Sequence, residues 1–248
     1  NLPSGPDYYR DRIWDAEVEE TALGTTITFG LHSPDGDQGY PGNADITVSY
    51  TLTPDNCLKL DYHMVSDADT IANFTNHVYF NLGGYKSGSA LDQKVWIDAD
   101  YFTATDANSI PTGELVAVKG TPMDFTEMKP IGRDIQEDYQ ALKYGNGYDH
   151  NWALNHPAGE LSLSAKAEDE KTGRTMEVYT DLPGVQFYTA NSLKTEHGKN
   201  HAVYTPRCGY CFETQYFPDA INKPEFASPV VKAGEEYKTT TIYKFGVK

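Results

Sequence analysis

Hydrophobic and polar residues alternate along most of the chain, in short segments separated by turn residues. Residues 45–52 and 57–65 both have this period of two and are joined by a short polar turn at 54–56. Residues 161–167 and 175–180 repeat the arrangement on either side of a turn that contains Gly173. Alternation interrupted by such turns is typical of antiparallel hairpins. The pattern therefore predicts at least two hairpins, each with one buried face.

Most of the remaining segments also have strand character. Further strands are predicted at 12–18, 25–31, 71–82, 94–99, 115–118, 148–154, 185–190, 211–215 and 238–245. Residues 126–147 differ, because their apolar positions have roughly helical spacing and predict one or two short helices. Many short strands with little helix indicate an all-β fold, a large antiparallel β-sandwich. Since no linker or repeat interrupts residues 1–248, we expect a single domain.

The charge balance excludes several classes of partner. The chain has 36 acidic and 20 basic residues, a formal net charge of −16. Nucleic acids and anionic membrane surfaces attract basic proteins, so neither is expected to bind. No apolar run approaches the ~20 residues that a membrane-spanning helix needs. Neutral ligands such as sugars are compatible with this charge, whereas a phosphorylated ligand would need a local basic cluster.

The cysteines favour neither a disulfide framework nor a metal site. There are three, Cys57, Cys208 and Cys211. Such a low, odd number, without a visible signal peptide, predicts a reducing cytoplasm. The spacing of Cys208 and Cys211 resembles a redox pair, but strand-like residues follow where a helix would be needed to lower the thiol pKa. A zinc site would need a second ligand pair, so we predict neither metal nor redox chemistry.

Four polar positions stand out from the predicted strands. His77 lies in a strand-like stretch beside Asn76 and Tyr79, and the other positions are the run 149–151, Gln186 and Glu213. Each has a structural explanation, as a hydrogen-bonded histidine, as turn residues or as strand residues that point to solvent. A pocket that binds a polyhydroxylated ligand and transfers a proton would also need amides, carboxylates and an imidazole. We therefore predict one site assembled from distant parts of the chain.

These positions lie in segments that resemble a known family. Residues 75–82, 147–151, 183–189 and 211–215, followed by 217–222, resemble the aldose 1-epimerases, also called galactose mutarotases, in the same order along the chain. The resemblance implies a large antiparallel β-supersandwich. It also implies an enzyme that interconverts the α and β anomers of free hexoses such as galactose or glucose, without a cofactor.

The resemblance assigns roles residue by residue. His77 falls on the general acid of the family and Glu213 on the general base. Sugar-contacting positions fall on Tyr79, Asp149 and Gln186. We do not expect the adjacent His150 to contact the sugar.

The chain departs from the family at its N-terminal side. Family members usually carry a further N-terminal part, with a sugar-binding arginine and a second histidine that have no counterpart here. We therefore expect N-terminal strands to be missing, which would expose sheet edges and favour self-association. Two alternatives stay open: a catalytically impaired carbohydrate-binding fragment, and a related enzyme that acts on another sugar or on a sugar phosphate.

Overall fold

A computed structural model describes residues 7–248 of the chain. The described residues form sixteen strands and one short α-helix, α1 (Gln140–Gly145). The strands are β1 (Asp15–Thr21), β2 (Gly24–Ser33), β3 (Ala44–Leu52), β4 (Cys57–Ser66), β5 (Thr70–Ile71), β6 (Lys94–Ile97), β7 (Tyr101–Thr105), β8 (Pro111–Ala117), β9 (Lys129–Pro130), β10 (Asp149–Ala153), β11 (Ser162–Glu168), β12 (Arg174–Thr180), β13 (Gly184–Tyr188), β14 (Cys211–Gln215), β15 (Val230–Val231) and β16 (Glu236–Val247).

The strands form two main antiparallel sheets. The larger has nine strands in the order β1-β2-β3-β4-β16-β12-β11-β6-β9, and the smaller has five in the order β14-β13-β10-β7-β8. A two-stranded sheet joins β15 to β5. The prediction of an all-β fold with large antiparallel sheets is confirmed. Within residues 7–248, no helix combines the length and apolar character of a membrane span.

Both predicted hairpins are confirmed. β3 pairs with β4 in continuous register from Ala44↔Ser66 to Leu52↔Leu58. Asn56 turns this hairpin with a φ of 63°, in the left-handed region that asparagine tolerates. β11 pairs with β12, with a register shift between Leu163 and Ala165.

The core lies between the two main sheets, and β14 shows how it orients the site. Phe212 and Thr214 face this core: the Phe212 ring is buried there and stacks on Phe187 at 5.2 Å, and the Thr214 hydroxyl is 2.5 Å from that of Thr241 on β16. Because side chains alternate along a strand, the other residues of β14 face away from this core. They are Cys211, Glu213 and Gln215.

The predicted strand at 71–82 is wrong. Only Ile71 of this range lies in a strand, β5, and Phe80 makes an isolated bridge to Tyr210. The polar residues of the segment bind other parts of the chain instead of a neighbouring strand. Asn73 exchanges two hydrogen bonds with the backbone of Tyr216, at 3.1 and 2.9 Å. Asn73 thus ties this segment to the residue that follows β14.

Residues 101–147 show smaller departures from the prediction. The prediction of one or two short helices across 126–147 is confirmed by α1, although Ile131 and Ile135 are buried in turns. The sequence reading missed β7, which pairs with both β8 and β10. β8 begins at Pro111, four residues before the strand predicted at 115–118. None of these differences changes the arrangement of β10, β13 and β14.

Candidate active site

The register of three strands builds the floor of the candidate site. Gln186 on β13 lies between Asn151 on β10 and Glu213 on β14. Two residues further along β13, Tyr188 lies between Asp149 on β10 and Cys211 on β14. Since residues two apart point to the same face of a sheet, these six side chains share one face, opposite the core.

His77 reaches this face from the irregular segment after β5. Its Nε2 atom is 3.5 Å from Oε1 of Glu213, and its Nδ1 atom is 3.3 Å from Sγ of Cys211. The imidazole is 42% exposed, whereas the Glu213 side chain is only 2% exposed. The structure thus brings together an imidazole that ligands can reach and a carboxyl group shielded from water, from positions far apart in the sequence.

Glu213 is in an unusual electrostatic environment. Burial, together with the nearby carboxylate of Asp149, raises the pKa of Glu213 to about 8. Its Oε2 atom is buried without a hydrogen-bond partner. A carboxyl group whose pKa lies near neutrality can exchange a proton with a bound ligand at physiological pH.

Asp149 and Gln186 are joined in a network of amides. Gln186 Nε2 donates to Asp149 Oδ1 at 2.8 Å. Gln215 Nε2 donates to Gln186 Oε1 at 3.2 Å and lies 3.1 Å from Asn151 Oδ1. Burial raises the pKa of Asp149, while the hydrogen bond from Gln186 and the charge of His77 oppose that rise. The network holds Asp149 and Gln186 in fixed orientations beside Glu213.

Gly184 leaves room for this network. It lies on β13 opposite Gln215 of β14. A Cβ atom at this position would be 2.4 Å from Asn151 Oδ1 and 2.8 Å from the ring of Phe217. Both distances are too short for non-bonded atoms, so a larger residue would displace the amides. Gly184 is therefore part of how the sequence builds the site.

Two tyrosines surround the imidazole. The ring centre of His77 is 5.1 Å from that of Tyr79 and 5.8 Å from that of Tyr188, and the two tyrosine rings are 6.2 Å apart. Tyr79 was predicted from the sequence, whereas Tyr188 and Cys211 were missed. The signal for both was available, because each is two residues from a predicted site residue on the same strand.

His150 has a structural environment. It packs edge-on against Phe102 and Trp152 and accepts a hydrogen bond of 3.1 Å at Nδ1 from the Asp149 amide. Burial lowers the pKa of His150 to about 4, so it is neutral at physiological pH. A neutral imidazole held by the core is suited to positioning β10 rather than to proton transfer.

Two cavities flank the predicted site residues. One of about 40 Å³ lies beside Asp149 and Gln186, beneath Ser109 and Pro111. The other, of about 300 Å³, is lined by Tyr79 and the residues Phe80, Asn81, Tyr85, Leu193, Tyr204, Cys208 and Gly209. The first is far smaller than a typical ligand pocket, whereas the second is at the lower end of the usual range.

Known proteins resemble this chain over nearly all of its length. The family profile described as aldose 1-epimerase matches residues 8–244. Human galactose mutarotase is 41% identical over 236 residues, which cover 95% of this chain and 66% of the relative. The aldose 1-epimerase of Escherichia coli is 34% identical over 246 residues, which cover 98% of this chain and 70% of the relative. The chain thus spans about two thirds of the length of these relatives.

Solved structures show the same fold. The galactose 1-epimerase of Lactobacillus acidophilus superposes with a TM-score of 0.83 at 29% identity, covering 95% of this chain and 67% of that protein. A GalM/aldose epimerase homologue from C. elegans superposes with a TM-score of 0.85 at 23% identity, covering 98% and 71%. The second likeness concerns the fold alone.

Proposed function

This chain belongs to the aldose 1-epimerase family, and we propose that it interconverts the α and β anomers of free aldohexoses. The observation that carries the proposal is the pairing of Glu213 with His77. A buried carboxyl group and an accessible imidazole lie 3.5 Å apart. The reaction needs a base and an acid side by side, because the anomeric hydroxyl and the ring oxygen are bonded to the same carbon.

The proposed reaction is a proton exchange across the sugar. Glu213 takes the proton of the anomeric hydroxyl, and His77 gives a proton to the ring oxygen. The bond between the anomeric carbon and the ring oxygen breaks, which leaves an open-chain aldehyde. After rotation about C1–C2, the hydroxyl attacks the other face of the aldehyde, His77 takes its proton back and Glu213 returns its own. No net proton is consumed.

The other predicted residues have binding roles in this proposal. Asp149 and Gln186 hold sugar hydroxyls, because their side chains share the face that carries Glu213 and are oriented by the amide network. Tyr79 forms a wall of the site beside His77. A tyrosine ring offers an apolar surface to sugar C–H groups and a hydroxyl at its rim.

The charges of the site favour a neutral sugar. Glu213 and Asp149 are both carboxyl groups on the ligand-facing side, and the whole chain has a net charge of −16. A sugar phosphate would be repelled by these groups. We therefore propose galactose or glucose as substrate rather than a hexose phosphate, and the galactose mutarotases among the relatives support galactose.

Polarimetry tests the proposal directly. Freshly dissolved α-D-galactose or α-D-glucose is mixed with the 248-residue chain, and the decay of optical rotation is compared with the spontaneous decay. We expect a faster decay in proportion to protein concentration. The chain spans two thirds of its relatives, which gives a specific reason to test the alternative of an impaired carbohydrate-binding fragment. Calorimetric binding of galactose without faster decay would support that alternative, and failure of both would reject both.

Two further expectations are kept as proposals. We propose a reducing, cytoplasmic location, supported by the free thiols of Cys57, Cys208 and Cys211.

We also propose self-association through the edge of the larger sheet. β1 pairs only with β2 among the described strands and exposes Val18. Gradient centrifugation of the chain in a reducing buffer would test this self-association.

A further inference from the structure

Three potential metal ligands converge at the candidate active site. Among residues 7–248, one cluster of three such side chains has its donor atoms within 4.8 Å of one another, and it consists of His77, Cys211 and Glu213. Cys211 and Glu213 are two apart on β14 and so point to the same side of the sheet. His77 faces both from the segment after β5. The sequence alone did not indicate this set, because its members do not have the spacing of a ligand motif.

We propose that His77, Cys211 and Glu213 form a binding site for a thiophilic divalent cation such as Zn²⁺. A second observation points to a missing partner: Oε2 of the 2% exposed Glu213 side chain is buried without a hydrogen-bond partner. A bound cation would supply that partner. Thiolate, imidazole and carboxylate together match the preferences of zinc and cadmium, whereas magnesium and calcium prefer oxygen ligands alone.

The distances are close to those that zinc requires. Zn–N and Zn–S bonds in a tetrahedral site place the nitrogen and sulfur ligands roughly 3.5 Å apart. Nδ1 of His77 and Sγ of Cys211 are 3.3 Å apart. All three donor atoms lie within 4.8 Å of one another, so the longest separation has to shorten by at most about 1 Å when the ion binds. The imidazole offers only one nitrogen to the ion: either Nδ1, which faces Cys211, or Nε2, which faces Glu213.

Binding exchanges a proton for the metal. The Cys211 sulfur loses its proton to the buffer as the sulfur–metal bond forms, with no change of oxidation state. The ion can approach from the exposed side of His77, while Cys211 and Glu213 are enclosed. A fourth position, on the solvent side, is left for water.

The consequence for catalysis rests on the proposed function. A bound cation would occupy His77 and Glu213, the proposed acid and base, and would thereby inhibit mutarotation reversibly. The binding site itself does not depend on the reaction. A failure of the two proposals can therefore be told apart, because metal binding is measured without any sugar present.

The experiment uses Zn²⁺ and Co²⁺ with the untagged 248-residue chain in a reducing buffer free of thiols. Calorimetry measures Zn²⁺ and Mg²⁺ binding, and the absorption spectrum of the Co²⁺ form reports a sulfur ligand through its thiolate-to-metal charge-transfer band. The variant is Cys211→Ser. The matched control is Cys208→Ser, which removes a thiol three residues before Cys211, in the turn that precedes β14; Cys208 lines the 300 Å³ cavity instead.

We expect one Zn²⁺ per chain, bound more tightly than Mg²⁺, and a cobalt charge-transfer band in the parental chain and in Cys208→Ser. Cys211→Ser should lose the band and at least about tenfold in Zn²⁺ affinity. Absence of the band from the parental chain would overturn the proposal without reference to any variant. An unchanged Zn²⁺ affinity in Cys211→Ser would also overturn the proposal. The same holds for an affinity that falls equally in Cys208→Ser. Where the chain is active, EDTA-reversible inhibition by Zn²⁺ that weakens in Cys211→Ser would support it further.

Discussion

Two histidine–carboxyl pairs in this molecule have similar chemistry and different surroundings. His32 and Asp45 lie opposite each other across β2 and β3, 2.8 Å apart, with side chains 60% and 83% exposed. His77 and Glu213 are 3.5 Å apart, with side chains 42% and 2% exposed. The shorter pair is immersed in water, which screens its charges. The longer pair has one member in a low-dielectric environment, and its carboxyl pKa is raised to about 8.

The difference teaches that burial, rather than distance, distinguishes a pair suited to proton transfer. A surface pair arises whenever a histidine and an aspartate face each other on adjacent strands. The pair of His77 and Glu213 requires two further features. Glu213 must lie on a strand whose outward face is covered by other residues, and an irregular segment must place the His77 imidazole beside it. The predictions below vary one member of each pair or of its surroundings.

The largest contrast is expected from the two histidines. His77→Asn removes the proposed acid and should slow mutarotation by about 10²–10⁴-fold. His32→Asn removes the surface imidazole and should leave the rate near that of the parental chain. Polarimetry on α-D-galactose measures both. Equal rates for the two variants would show that the site pair has no special role.

The second contrast concerns stability and pH. The pKa of Glu213 is about 8 in the folded chain, against an ordinary value of 4.5. Between these values the folded chain keeps a proton that the unfolded chain has released, so this group lowers the free energy of unfolding progressively as pH rises from 4.5 to 8. Glu213→Gln cannot ionise and should gain stability relative to the parental chain over that window, by at most about 5 kcal/mol.

Urea unfolding at pH 5 and at pH 8.5 measures this difference. The gain in unfolding free energy of Glu213→Gln over the parental chain should be larger at pH 8.5 than at pH 5, because the parental carboxyl then carries a buried charge. A difference in unfolding free energy that stays the same at both pH values would show that Glu213 has an ordinary pKa.

The third contrast uses two strand glycines. Gly184→Ala places a Cβ atom 2.4 Å from Asn151 Oδ1 and should destabilise the chain by about 1–3 kcal/mol through overpacking. Gly30 on β2 has open space where a Cβ atom would be, so Gly30→Ala should be neutral or stabilising by up to about 1 kcal/mol. Thermal unfolding ranks the two. Equal effects of the two substitutions on thermal unfolding would show that the side chains around Gly184 adjust to the added Cβ atom without loss of stability.

Much of the larger sheet was predictable from the sequence, because alternation and turn residues are local signals. The hairpins of β3 with β4 and of β11 with β12 follow from such signals. The strand predicted at 71–82 was wrong, since its asparagines bind distant backbone groups that the local pattern does not reveal. β7 was missed for a related reason, because it is defined by its neighbours β8 and β10.

The candidate site was predictable only in part. The family resemblance singled out His77, Tyr79, Asp149, Gln186 and Glu213, and the structure brings them to one face. Their roles remain predictions. Tyr188 and Cys211 could have been found from the alternation of β13 and β14, since each lies two residues from a predicted site residue, whereas the register that places them side by side is seen only in the structure. The sequence did not predict the raised pKa of Glu213 either, because this shift depends on burial by side chains from other segments.

The most direct test of the central claim is the mutarotation rate of Glu213→Gln between pH 6 and pH 9, measured by polarimetry on α-D-galactose beside the parental chain. The account predicts a bell-shaped parental profile, because the reaction needs Glu213 ionised and His77 protonated at the same time, and a variant that is about 10²–10⁴-fold slower at the parental optimum. A variant that keeps the parental rate and its pH dependence would contradict the account.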